Sequence, residues 1–216
     1  MKIAILLSGH TRSYKKNLVS FKQNFINNLE ECGHEYDVFI STWDNDGKKQ
    51  ESAGYHTELS NKLVSVANLK SSLKKAYKPE RIEIEANNDY LHVKQHVNKI
   101  LKKYPKLKNE KISYNIKLHV EGILGQLYKI KKSFMLIDDI AQYDIIVKYR
   151  FDLFSKDKVD WSNNQFIARI SEGLYLRTKN KIMPDGTVNW GDTIVMGPCS
   201  LMKYFCLSYD YVTIHA

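Results

Sequence analysis

The sequence predicts one α/β domain over residues 1–216, built on a mixed, mostly parallel sheet flanked by helices. The front of the chain alternates apolar, strand-like runs with stretches of helical periodicity, the pattern of a parallel sheet covered on both faces. The back turns to shorter, more alternating segments, which suit antiparallel strands. A 43% hydrophobic content over 216 residues supports a substantial core, and no repeat or low-complexity linker divides it.

"KIAILLSG" reads as a first buried strand meeting a glycine turn. From Ser13, placed to cap a helix, Tyr14, Leu18, Phe21, Phe25 and Leu29 recur at helical spacing. A turn at Gly33 leads into "YDVFIST", a second buried strand, and the polar stretch 45–57 reads as a loop. Leu59, Leu63, Val66 and Leu73 mark another helix, and "RIEIE" after Pro79 is a short alternating strand. Residues 88–103 look helical, with Pro105 ending the run. Val120, Ile123, Leu124, Leu127, Ile130, Phe134 and Ile137 trace the core stripe of a long helix, and "YDIIVKY" is the strand after it. "QFIAR" and "GLYLRT" read as short alternating segments, "TIVMG" as another strand, and a last helix begins near Ser200.

Charge and cysteines narrow the setting. The net charge is +9, and much of the lysine lies between Lys94 and Lys117. Such a segment suits a polyanion or an anionic membrane surface, or it is a solvated helix face. No RNA or DNA module signature accompanies the lysines, which makes nucleic acid an unfavoured partner. Cys32, Cys199 and Cys206 are odd in number and lack metal-ligand spacing, so they read as reduced thiols. No apolar stretch approaches the ~20 residues that span a bilayer, and "KIAILL" is too short for a signal-peptide core. The expectation is a cytoplasmic protein.

Candidate chemistry lies at the strand ends, because ligands of open parallel sheets bind beyond the carboxyl ends of the strands. In "SGHTRSY", Ser8, Gly9, His10, Thr11 and Arg12 make either a phosphate-binding approach to a helix N-terminus or an ordinary capped turn. In "STWDND", Trp43 offers a stacking ring and Asp44 or Asp46 an acceptor for sugar hydroxyls; the alternative is an Asx turn beside a partly buried Trp. Arg150 and Asp152 share one side of an extended chain. They form an internal ion pair, or Asp152 helps hold a divalent cation such as Mg²⁺ while Arg150 meets a phosphate. On the long helix, Gly122 and Gly125 invite close approach, and Gln126 and Lys129 lie on a polar stripe that is either aimed at a ligand or simply the wet face. Asp192, in "NWGDTIVMGP", is a general-base candidate or a turn residue.

These pieces, in this order, resemble a bacterial glycosyltransferase-like family of surface-polysaccharide synthesis, related to the WavE lipopolysaccharide-synthesis group. The resemblance rests on "SGHTRSY", "YDVFISTWD", "GQLYKIKKSFML", "YDIIVKYRFDLF" and "GDTIVMGP", with a variable stretch between 45 and 112. It implies a Rossmann-like, GT-A-type fold that binds a nucleotide-sugar donor and transfers the sugar to a glycan or lipid-linked acceptor of lipopolysaccharide or capsule. The residues of "SGHTR" would line the nucleotide site. Arg150-Phe151-Asp152 would stand where most GT-A enzymes carry a DXD metal motif, with Arg in place of the first Asp, which leaves a divalent cofactor open. Asp192 would be the acceptor-side base. The basic segment would suit the inner face of a membrane. "YDYVTIHA" reads as stopping inside an element, as in a truncated or short form. Two other readings stay open: a non-catalytic nucleotide-binding or basic interaction module, and a sugar-nucleotide pyrophosphorylase, which "LLSGHTRSY" faintly echoes.

Overall fold

The computed structural model describes residues 1–11, 14–44, 65–86, 91–104, 113–153, 158–177, 181–182, 188–189 and 194–215. The chain opens with β1 (Lys2–Gly9), α1 (Tyr14–Phe21), a π-helical turn (Lys22–Ile26) and α2 (Asn27–Glu31). It continues through β2 (Glu35–Trp43), α3 (Val66–Tyr77), β3 (Arg81–Glu85), α4 (Leu91–Lys103) and the long α5 (Ser113–Phe134). A short 3₁₀ turn (Ile140–Gln142) leads to β4 (Ile145–Arg150), then α6 (Asn164–Glu172) and β5 (Tyr175–Arg177). The last elements are β6 (Lys181–Ile182), β7 (Val188–Asn189), β8 (Ile194–Pro198), α7 (Cys199–Cys206) and α8 (Ser208–His215).

Six strands form one sheet in the order β3-β2-β1-β4-β8-β5, and β6 pairs with β7 apart from it. β3, β2, β1 and β4 are parallel, while β8 runs antiparallel to both β4 and β5. The fold is thus α/β with a mostly parallel mixed sheet, compatible with a Rossmann-like architecture. The chain builds outward from β1 to β3, then returns to β1's other side as β4. That reversal is a topological switch point, and open α/β sheets bind their ligands at such points, beyond the carboxyl ends of the strands.

The period of two along each strand produces two cores. Ile3, Ile5, Leu7, Val38, Ile40, Val147 and Tyr149 face α1–α3 and α6, meeting Phe21, Phe25, Leu73, Trp161 and Ile170. Ala4, Leu6, Phe39, Ile146 and Val195 face the other way, against Ile130 of α5 and Met202 and Cys206 of α7. α4 lies outside α5, sealed by Val93, Val97, Leu101, Leu124 and Tyr209. Cys32, Cys199 and Cys206 are free thiols. Among the described residues, no helix is long and apolar enough to cross a membrane.

Several local expectations change. "QFIAR" is helical, because Asn163 accepts hydrogen bonds from the amides of Gln165 and Phe166 and so caps α6. Val66 and Ile123 are exposed; Leu69, Leu73 and Tyr77 fill the buried face of α3, and Leu124 and Ile130 that of α5. The helix following β1 passes through a π turn, which brings Phe21 and Phe25 into stacked contact at 5.7 Å. The cap at Ser13, Leu59, Leu63, Pro105 and the 45–57 loop lie outside the described residues.

Candidate functional site

At the switch point a polar row crosses the carboxyl ends of four parallel strands. The sheet register aligns Glu83 of β3 with Ser41 of β2, Ser41 with Ser8 of β1, and Ser8 with Arg150 of β4. All four lie two positions beyond residues of the α5-facing core or its level, so the row faces α5. Ser41 Oγ donates to Glu83 Oε2 at 3.3 Å. Ser8 Oγ is buried with no hydrogen-bond partner among the described residues. A buried hydroxyl left unmatched is uncommon and calls for an explanation such as a ligand or a water.

Gly9 follows at φ +100°, a left-handed conformation that favours glycine, and a Cβ there would meet no atom of the described residues within 4 Å. Thr42 Oγ1 donates to the Gly9 carbonyl at 2.7 Å and holds that turn to β2. Beyond it the His10 ring lies 6.2 Å from the Trp43 ring, and Thr11 is buried, its carbonyl accepting from the Tyr14 amide at 2.8 Å. Arg12 and Asp192 lie outside the described residues, as does Asp46.

Arg150 and Asp152 form the internal pair. Arg150 Nε donates to Asp152 Oδ1 and a terminal guanidinium nitrogen donates to Oδ2, each at 2.8 Å. The bidentate geometry orients the guanidinium plane at the end of β4. Each carboxylate oxygen of Asp152 accepts one hydrogen bond from the Arg150 guanidinium. Among the described residues, no group of three or more His, Cys, Asp or Glu is gathered to hold a metal. Lys148, two residues before Arg150, points to the same face and is fully buried beside Leu6 and Val195.

The α5 side of the site is organised around Lys129, also fully buried. Its ammonium donates to Glu85 Oε2 at 2.5 Å and to the Thr42 carbonyl at 2.9 Å, and sits 3.8 Å from the centre of the Trp43 ring. Lys132, one turn on, pairs with Glu83 at 2.9 Å and Glu85 at 3.3 Å. Burial works to raise the Glu85 carboxyl, but the hydrogen bond and charge of Lys129, joined by Tyr128 and Lys132, outweigh it and hold the group below the ordinary value. Burial pulls the Lys129 ammonium below the usual lysine value, and Glu85 restores part of that.

Trp43 and Lys129 therefore have different places from those expected. Trp43 is 1% exposed and stacks on Tyr128 at 5.8 Å, leaving no open ring face for a base or sugar. Lys129 spends its charge inside the protein, joining α5 to β2 and β3. Gln126, one turn before it on α5, is half-buried, and the Asp44 amide donates to the Glu85 carbonyl at 3.0 Å. Of the expected residues, Ser8, Gly9, His10, Arg150 and Asp152 lie at or just beyond the carboxyl ends of the adjacent strands β1 and β4.

Glu83, Glu85, Lys132 and Lys148 were not among the expected residues, although the sequence carries a signal for each. Two acids at strand spacing in "RIEIE" face two lysines at helical spacing in "YKIKK". Lys148 shares its face of β4 with Arg150 by the same period of two. No model of a known protein family matches the chain, and no curated protein matches it.

Proposed function

We propose that the chain is a GT-A-type glycosyltransferase that binds a nucleotide-activated sugar at the β1/β4 switch point and passes the sugar to a surface-glycan acceptor. The observation that carries this reading is the row at the switch point. It combines an unmatched buried hydroxyl at Ser8, the left-handed glycine turn at Gly9 and the oriented guanidinium of Arg150, aligned with Ser8 across adjacent strands. A hydroxyl, a glycine turn that lets a ligand approach the backbone and a fixed cation suit a diphosphate. Lys148 on the same face adds positive potential beneath it. The order of the five sequence motifs adds the sugar-transfer half of the reading.

In this mechanism Arg150 stabilises the charge that grows on the departing diphosphate, with Asp152 keeping the guanidinium in plane. Electrostatic stabilisation aimed at developing charge is commonly the largest catalytic contribution. Arg12 supplies a second cation and Asp192 the base that deprotonates the acceptor, both by resemblance alone.

A thermal-shift series with UDP, GDP, CDP, TDP and CMP, with and without Mn²⁺, tests the site. One nucleoside diphosphate should raise the melting temperature, as a ligand of the folded state does. The shift should vanish in Arg150→Ala and persist without Mn²⁺. No shift from any nucleotide would sink the proposal. A second reading, a nucleotide-binding module without transfer activity, draws on the engagement of both Asp152 oxygens by Arg150. A nucleotide-dependent shift with no release of sugar from the matching donor, even with acceptor extract, would select it.

A further inference from the structure

α4 carries four lysines and no acidic residue in thirteen positions. Its apolar side, Val93, Val97 and Leu101, is sealed against Leu124 of α5 and Tyr209 of α8, so Lys94, Lys99 and Lys102 stand in water. α8 is its neighbour, with the Tyr209 ring 6.1 Å from that of His96. On α7 and α8, Tyr204, Tyr211 and Ile214 are 77%, 70% and 76% exposed. Scattered exposed apolar residues are ordinary. Here Tyr211 and Ile214 lie on α8, which meets the wholly basic α4 through Tyr209, and Tyr204 lies on α7, which contacts α8; the acid on α8, Asp210, is paired with Lys131 at 2.5 Å.

We propose that the outer face of α4, α7 and α8 docks on a lipid bilayer rich in anionic headgroups. The lysines supply attraction to the negative surface, which fades within a Debye length. Tyr204 and Tyr211 are suited to the headgroup layer, where a ring with a polar tip is favoured. Ile214 gains only by leaving water. That aliphatic component favours a bilayer over a nucleic acid, which would reward the lysines and the tyrosines but not Ile214. The proposal stands apart from the nucleotide site, since none of these residues belongs to it.

Vesicle flotation of the whole chain tests the face, using phosphatidylcholine alone and phosphatidylcholine mixed with phosphatidylglycerol, at low and high salt. The chain should float with the anionic vesicles only. Each lysine near such a surface contributes about fivefold, so Lys94→Gln/Lys99→Gln/Lys102→Gln should weaken partition about a hundredfold. Tyr204→Ser/Ile214→Ser should retain low-salt binding and lose the fraction that survives high salt. Circular-dichroism melting of both variants controls for folding. Three results would overturn the proposal. The first is equal partition onto neutral vesicles, or none onto either. The second is lysine-dependent binding of a single-stranded RNA with no flotation. The third is a dimer, seen by sedimentation without lipid, that Tyr204→Ser/Ile214→Ser dissociates.

Discussion

Lys129 has no exposed surface, and a buried lysine is rare unless its charge is met. Glu85, the Thr42 carbonyl and the Trp43 ring together meet it. Removing Lys129 takes from the half-buried Glu85 its nearest cation and leaves it with Lys132 at 3.3 Å and the Tyr128 hydroxyl at 3.0 Å. Lys129→Met should therefore destabilise the fold by about 3 kcal/mol, lowering the melting temperature by about 10 °C in a chain of this size. Lys129→Met/Glu85→Gln should recover much of that loss, because no unpaired charge remains. Calorimetry of the three proteins checks both statements. The pair also carries a pH signature. Unfolded, Glu85 titrates near the ordinary ~4.3; folded, it is held lower. Its contribution is thus complete above the unfolded value and is lost as the pH falls through the folded one. Melting curves from neutral pH into the acid range should fall less steeply in Glu85→Gln than in the parent chain.

Among the elements, β8 is constrained most tightly at Gly197. A Cβ there would lie 2.9 Å from the Gly173 carbonyl oxygen and 3.0 Å from Leu174 Cδ2, where the chain leaves α6 for β5. The nearest atom is backbone, which yields little, so Gly197→Ala should destabilise by about 1–3 kcal/mol. The shift should appear in a urea midpoint with an unchanged slope. This contact was not legible in the sequence, since glycines before "PCS" also read as ordinary turn punctuation. "QFIAR" misleads for a related reason. Five residues are too few to separate alternation from helical spacing, and the decision rests on the Asn163 cap and on Phe166 packing against Trp161 at 5.8 Å. Where a segment was long, as in α5, periodicity located it well. Even there Ile123 fell on the wet side, because a stripe of apolar residues is wider than the face that finds a partner.

At the scale of the whole molecule, the parallel front and antiparallel back were both legible, because strand–helix alternation and short alternating runs are local patterns. The switch point follows from the strand order, and the sequence motifs singled out Ser8 and Arg150 without showing that they are adjacent. Register is a property of pairing, and a single strand's sequence does not state its neighbour. The two lysines enclosed between sheet and helices have one further consequence. An amine-reactive label reaches Lys129 or Lys148 only when the α5 layer parts from the sheet, whereas the lysines of α4 react at once. Their labelling rates, resolved by mass spectrometry, become a clock for that parting, running on the free energy of local opening. Both should label far more slowly than Lys94 or Lys99. Lys129→Met, which loosens the same layer, should quicken the clock at Lys148.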